Sequence, residues 1–249
     1  MKRPRAITLV GRPLSDALRG LDRCLERGPR ALALVLLGLA LGWWIYVPCH
    51  ELLHAAGCLM SGGEVSRLEI SALYGGNALA RIFPFVAVGE DYAGRLSGFD
   101  TRGRDLVYLA TDLAPFVLTL FPGVWALRVA GAARRPFLFG LALPVGLAPF
   151  VSIPGDAYEI GSILVTRVPL WSAAATSSLL RGDDLVDRLS RVSAAGGASA
   201  WSGFVLASAV GVAWAFATYL AGSAIASRLG APSLDAGWPA PNLRPGQAE

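Results

Sequence analysis

Charge is scarce in this chain. Asp, Glu, Lys and Arg make up 16% of its 249 residues, against roughly 25% in an ordinary soluble domain. The shortfall is concentrated in long apolar runs. "ALALVLLGLALGWWIYVPC" (31–49) carries no charged side chain, and about 20 such residues form a helix that crosses about 30 Å of hydrocarbon. A soluble globular fold is excluded on this ground. Cysteine is also rare: Cys24, Cys49 and Cys58 are the only three, too few for a disulfide framework. Basic stripes with interleaved aromatics are missing, so no nucleic-acid partner is expected. Histidine is scarcest of all, with His50 and His54 alone in the chain.

What is present reads as an all-α polytopic membrane protein of about 4–6 membrane segments, with the lipid bilayer as its solvent. The apolar segments are 31–60, 105–127, 136–153, about 157–180 and 199–227. Lys2, Arg3, Arg5, Arg12, Arg19, Arg23, Arg27 and Arg30 crowd the stretch before the first of them. The positive-inside rule therefore puts residues 1–30 in the cytoplasm, as a basic amphipathic segment. No A-x-A site follows the first apolar run, and a signal-peptide core would not hold His50, Glu51 and His54, so it is read as a retained helix. Thirty residues make about 45 Å of helix, which must tilt, protrude or break, with Pro48 the natural break point.

The remaining elements follow from local pattern. In 62–100, Ser66, Leu68 and Ile70 alternate with Val65, Arg67 and Glu69, and Gly75-Gly76 precedes a second β-rich run. This predicts a small β-hairpin insertion after the first span, with Pro84 pushing its second strand to an edge. Residues 31–227 form the membrane-embedded domain, 228–249 a disordered tail, and "RGDDLVDRLSR" (181–191) a solvated loop or surface helix. Gly203, Ala207, Gly211 and Ala215 put a small residue at every fourth position of the last apolar segment. Such a ridge serves close packing within the bundle or a homo-oligomer face.

The chemistry sits in "HELLHAAGCLMSGGEVSRLEI" (50–70). On a helix, His50 and His54 lie about 6 Å apart along the axis and about 40° apart around it. Two imidazoles so placed reach one zinc ion, and Glu51 stands where a general base for a metal-activated water is needed. Two randomly placed histidines fall four apart on the order of once in a hundred chains, and Glu at the second position is about thirtyfold rarer still. Burying three ionisable groups as mere core residues would cost several kcal/mol. A catalytic zinc usually has a third protein ligand. Cys58 lies about 12 Å further up the helix and Cys49 points to another face. That leaves Asp156 or Glu159 in "SIPGDAYEIGS" and Asp112 in "LATDLAPF". Asp156 is favoured because a helix broken at Pro154-Gly155 turns its carboxylate inwards. The competing reading is that Asp156 and Glu159 form a capping box.

These motifs resemble the site-2 protease family of intramembrane zinc metalloproteases. The resemblance rests on 50–70, on "LATDLAPFVLTL" (109–120), and on "SIPGDAYEIGS" (152–162) as the third-ligand segment. Ala157 stands where the family usually has Gly, the upstream Asn is missing, and 109–120 lacks the Gly of the family's Gly-Pro motif. The family implies a zinc metalloendopeptidase with one zinc per chain on His50, His54 and Asp156, and Glu51 as catalytic base. Its substrate would be a membrane protein cleaved in or near a transmembrane segment, in a bacterial plasma membrane. A non-catalytic zinc-binding scaffold and a transporter using Asp112, His50 and Asp156 are the competing classes. With residues 1–30 inside, His50 and Asp156 both fall near the outer leaflet. Reporter fusions after residues 95 and 132 test this: the first should report outside and the second inside.

Overall fold

The computed structural model describes residues 10–195 and 197–234. Helix α1 is Arg12–Leu25 and α2 is Arg30–Met60. Strands β1 (Glu64–Ser71), β2 (Val86–Gly89) and β3 (Gly94–Asp100) follow. Then come α3 (Asp105–Leu113), α4 (Val124–Ala132), α5 (Pro136–Val151), α6 (Asp156–Val165), α7 (Ala174–Leu180), α8 (Leu185–Ala195) and α9 (Ala198–Arg228). Four stretches are helical, long and apolar enough to cross a membrane: Arg30–Met60, Asp105–Ala132, Pro136–Val165 and Ala198–Arg228. The segments 136–153 and 157–180 are thus redrawn. Helices α5 and α6 form one stretch interrupted at 152–155, and α7 is a separate short helix.

Helix α2 runs unbroken through Pro48, contrary to the expected break. The lost N–H leaves the Trp44 carbonyl without its helical donor, yet more than ten helical residues on each side of that turn hold the helix together. Its contact with α5 is the most extensive in the bundle. A Cβ on Gly38 would lie 2.1 Å from the Phe137 carbonyl oxygen, and one on Gly140 equally close to that of Val35. Close backbone approach of this kind is what locks helices together where side-chain burial gives little drive, as it would in lipid. The ridge on α9 is spent the same way. Ala207, Gly211 and Ala215 are buried, and a Cβ on Gly211 would meet the Ala157 carbonyl of α6 at 2.5 Å.

The insertion after α2 is a three-stranded sheet of order β2-β1-β3, not a hairpin. Strands β1 and β2 run parallel, with Leu68 opposite Val86, and the antiparallel partner of β1 is β3, with Leu68 opposite Leu96. The expected turn at Gly75-Gly76 exists, with Gly75 at φ +84°, but it opens a single helical turn, Gly76–Leu79. Residues 72–85 then form the crossover of a dozen or more residues that parallel strands require. Leu68 and Ile70 are fully buried, against Ala55 of α2, and β2 is an edge strand, as Pro84 implied.

Helix α1 turns three of its four leucines outwards, while Leu21 packs on the core. Leu14, Leu18 and Leu25 are exposed, while Asp16, Gly20 and Cys24 face the bundle. Asp16 is 2% and Arg128 1% exposed. Asp16 Oδ2 accepts from Arg128 Nε at 2.9 Å, from Nη2 at 2.7 Å and from the Tyr219 hydroxyl at 2.8 Å. Arg128 Nη1 donates to the Ser223 carbonyl at 3.1 Å. This network ties α1, α4 and α9 together. Of the proposed tail, Ala231 and Leu234 are buried, and the Leu234 carbonyl accepts from Arg23 at 3.1 Å. Residues 231 and 234 are therefore packed on the bundle. Residues 235–249 and the basic residues before position 10 lie outside the described residues.

Removing one partner of such a pair leaves a buried charge uncompensated, at a cost of about 3–5 kcal/mol, whereas replacing both with apolar groups is often neutral. Asp16→Leu alone should lower the midpoint of thermal unfolding in detergent. Asp16→Leu with Arg128→Met should recover most of that loss.

Candidate metal centre

Two parallel helical stretches bring the ligands to one level. His50 lies 20 residues from the start of Arg30–Met60 (50 − 30), and Asp156 lies 20 from the start of Pro136–Val165 (156 − 136). The stretch between them, Asp105–Ala132, runs the opposite way, so Thr111 near its beginning arrives at the same level. Helix α2 approaches α3 closely there, because a Cβ on Gly57 would lie 2.5 Å from the Ala110 carbonyl oxygen.

The resulting cluster is tight. His50 Nε2 is 3.1 Å from Asp156 Oδ2, His54 Nε2 is 3.5 Å from Asp156 Oδ1, and the two Nε2 atoms are 3.0 Å apart. Two ligand atoms each about 2.0–2.1 Å from one tetrahedral ion are separated by about 3.3 Å. The three spacings bracket that value. Among the described residues, this is the one group of three His, Cys, Asp or Glu side chains placed to hold a metal ion. Two imidazoles and a carboxylate are a donor set that fits such an ion and leaves a fourth position for a small ligand.

The outer nitrogens of both imidazoles are held as well. His54 Nδ1 lies 2.9 Å from the Thr111 carbonyl. A carbonyl only accepts, so the proton sits on Nδ1 and the Nε2 lone pair faces the cluster. That carbonyl is free for a reason written in the sequence. Its helical donor would be the N–H of residue 115, and residue 115 is proline. His50 Nδ1 lies 2.7 Å from the Tyr46 hydroxyl, one turn earlier on α2. Neither Thr111 nor Tyr46 was singled out from sequence. Pro115 four residues after Thr111, and Tyr46 four before His50, are the signals that would have found them.

Asp156 is the first residue of α6, whose N-cap is Gly155 without a side-chain cap. The capping-box reading therefore fails, since the Asp156 carboxylate is directed to the imidazoles instead. Glu159 and Asp112 are not in the cluster. Glu159 accepts a hydrogen bond from the Tyr108 hydroxyl, and Asp112 is buried in α3 nearby. Glu51 lines the clefts on both sides of the cluster and packs on the backbone of β3, where a Cβ on Gly94 would lie 2.4 Å from its Cγ.

One cleft, of about 360 Å³, is lined by β3 residues 94–97, Phe99, Tyr108, Asp112 and Glu159; the other, of about 480 Å³, by Trp43, Tyr46, Tyr92 and Pro154. Glu51, Asp156, Arg95 and Asp183 line both. The segment 181–191, expected as a plain solvated face, is therefore part of the site's wall. Arg181 fastens its start to Asp105 at 2.7 and 3.2 Å, and the Leu185 N–H donates to the Pro154 carbonyl at 2.9 Å. Comparison of the chain with family models, curated proteins and solved structures gave no match.

Outer hydrogen bonds of this kind are worth about 10–100-fold in metal affinity. Tyr46→Phe should weaken binding of one divalent ion per chain by about tenfold, and Asp156→Ala by more, measured by chelator competition on purified protein. Unchanged affinity in Asp156→Ala would remove it from the ligand set.

Proposed function

We propose that this chain is a zinc-dependent intramembrane endopeptidase whose substrates are membrane-protein segments. The observation that carries the reading is the convergence of His50, His54 and Asp156 within apolar helices, with Glu51 at the same wall. A protein that only stored or sensed a metal would have no use for a carboxylate next to the ion and outside its ligand set. The site-2 protease resemblance of 50–70 and 152–162 points the same way.

In this reading His50, His54 and Asp156 would hold a zinc ion, which would supply Lewis acidity to a water and to a carbonyl of the chain being cleaved. Glu51 takes a proton from the attacking water as the C–O bond forms, and delivers it to the amine as the C–N bond breaks. Tyr46 and the Thr111 carbonyl keep both imidazoles oriented throughout. The two clefts give water and substrate their ways in. A helix cannot present its carbonyls to a side attack, so the substrate must unwind locally into an extended strand. Strand β3 is an edge strand whose residues line the smaller cleft, and it supplies main-chain partners for such a strand. Strand β1 is central in the sheet and has no free edge to offer.

The test separates base from ligand. Glu51→Gln should lose cleavage of reconstituted membrane substrates by at least a thousandfold while its zinc content stays at one per chain. Normal cleavage by that variant would overturn the mechanism, and purified protein free of zinc and indifferent to chelators would overturn the function.

A further inference from the structure

The smaller cleft holds more carboxyl groups than the proposed chemistry uses. Five carboxylates line it, those of Glu51, Asp112, Asp156, Glu159 and Asp183, against the single cation Arg95. Arg95 faces Asp183 at 3.7 Å at the cleft's outer rim. Asp156 belongs to the metal group and Glu51 acts as the base. Asp112 and Glu159 remain, 3% and 6% exposed. Among the described residues Asp112 Oδ2 has no hydrogen-bond partner, and Glu159 has the Tyr108 hydroxyl. The rings of Phe99 and Tyr108 meet edge to face, with centroids 5.5 Å apart, and both line the cleft.

These features select a ligand. A buried carboxylate oxygen left without a donor is costly, so the cleft favours whatever brings it N–H groups. A divalent cation is a poor fit. Hard cations take six or more oxygens, Glu159 already accepts from Tyr108, and Asp112 and Glu159 form no metal-holding group with a third side chain. An ammonium or guanidinium fits better. It carries several donors for charge-assisted bonds to carboxylates, and its methylene stem lies well against aromatic rings.

We infer that Asp112 and Glu159 form a specificity subsite for a Lys or Arg side chain of the cleaved chain. The inference rests on the endopeptidase reading and names the substrate class for that same site. Because the subsite lies beside the metal group, a single basic side chain seated there fixes which peptide bond meets Glu51.

Single-span apolar peptides test this, each with one lysine at a successive position, beside matched peptides carrying norleucine. Binding is measured by fluorescence anisotropy to zinc-loaded Glu51→Gln in nanodiscs, and cleavage sites are mapped by mass spectrometry with the wild type. At least one lysine position should bind tenfold or more tighter than its norleucine match. The wild-type cleavage site should move with the lysine. Asp112→Asn and, independently, Glu159→Gln, each checked for retained zinc, should bring the two peptides to equal affinity. Equal affinity for lysine and norleucine with cleavage intact would overturn the subsite and leave the endopeptidase standing. An Asp112-dependent lysine preference in a protein that cleaves no peptide would support the subsite and remove the endopeptidase. No binding of any peptide would overturn the subsite.

Discussion

The fold turns on one meeting, that of two imidazoles on α2 with a carboxylate at the start of α6. Each is expensive alone among apolar helices. Together, at 3.0–3.5 Å, they form a group that a divalent ion can neutralise. Bringing them together requires that two helical stretches more than seventy residues apart in sequence share both a direction and a level. Equal offsets of 20 residues from Arg30 and from Pro136 supply the level, since helices rise by the same about 1.5 Å per residue. The intervening antiparallel stretch supplies the direction.

Equal offsets are useless if the helices can slide. Sliding is prevented by backbone contacts, in which Gly38 and Gly140 each accept a carbonyl of the opposite helix where a side chain would stand. "GLALG" (38–42) is therefore as much a part of the site as "HELLH", three turns below it. The Arg128–Asp16 pair acts differently. It anchors the surface helix α1 to the bundle at the far end from the candidate metal group, so its loss bears on stability and not on the geometry of that group.

The sequence disclosed the candidate metal group better than the architecture. His50, Glu51 and His54 are legible because helical spacing alone puts them on one turn. Asp156 is legible because a proline and a glycine before it break the helix and free its carboxylate. The sheet was misread for a physical reason: Gly75-Gly76 is as good a signal for leaving a strand as for a hairpin turn, and local residues do not say whether the next strand returns antiparallel or crosses over. The continuity of α2 through Pro48 was misread because one missing hydrogen bond is small beside the packing of a 31-residue helix. The walls of the clefts were invisible, because β3 and the loop at 181–184 reach the site only through tertiary contacts.

Those walls carry a physical tension. An edge strand with open hydrogen-bonding groups is a liability that proteins usually cover, shorten or charge. Strand β2 is short, four residues, and meets that problem by length. Strand β3 is seven residues long, and only Arg95, facing Asp183 across the clefts, guards the part nearest the metal group. Gly94 and Gly98 leave its surface low, and Glu51 occupies the space that a side chain at 94 would fill. A strand kept long, bare and adjacent to the metal group makes sense if a second strand pairs with it in passing. On that view the glycine at 94 answers two demands at once, room for the base and room for the incoming backbone.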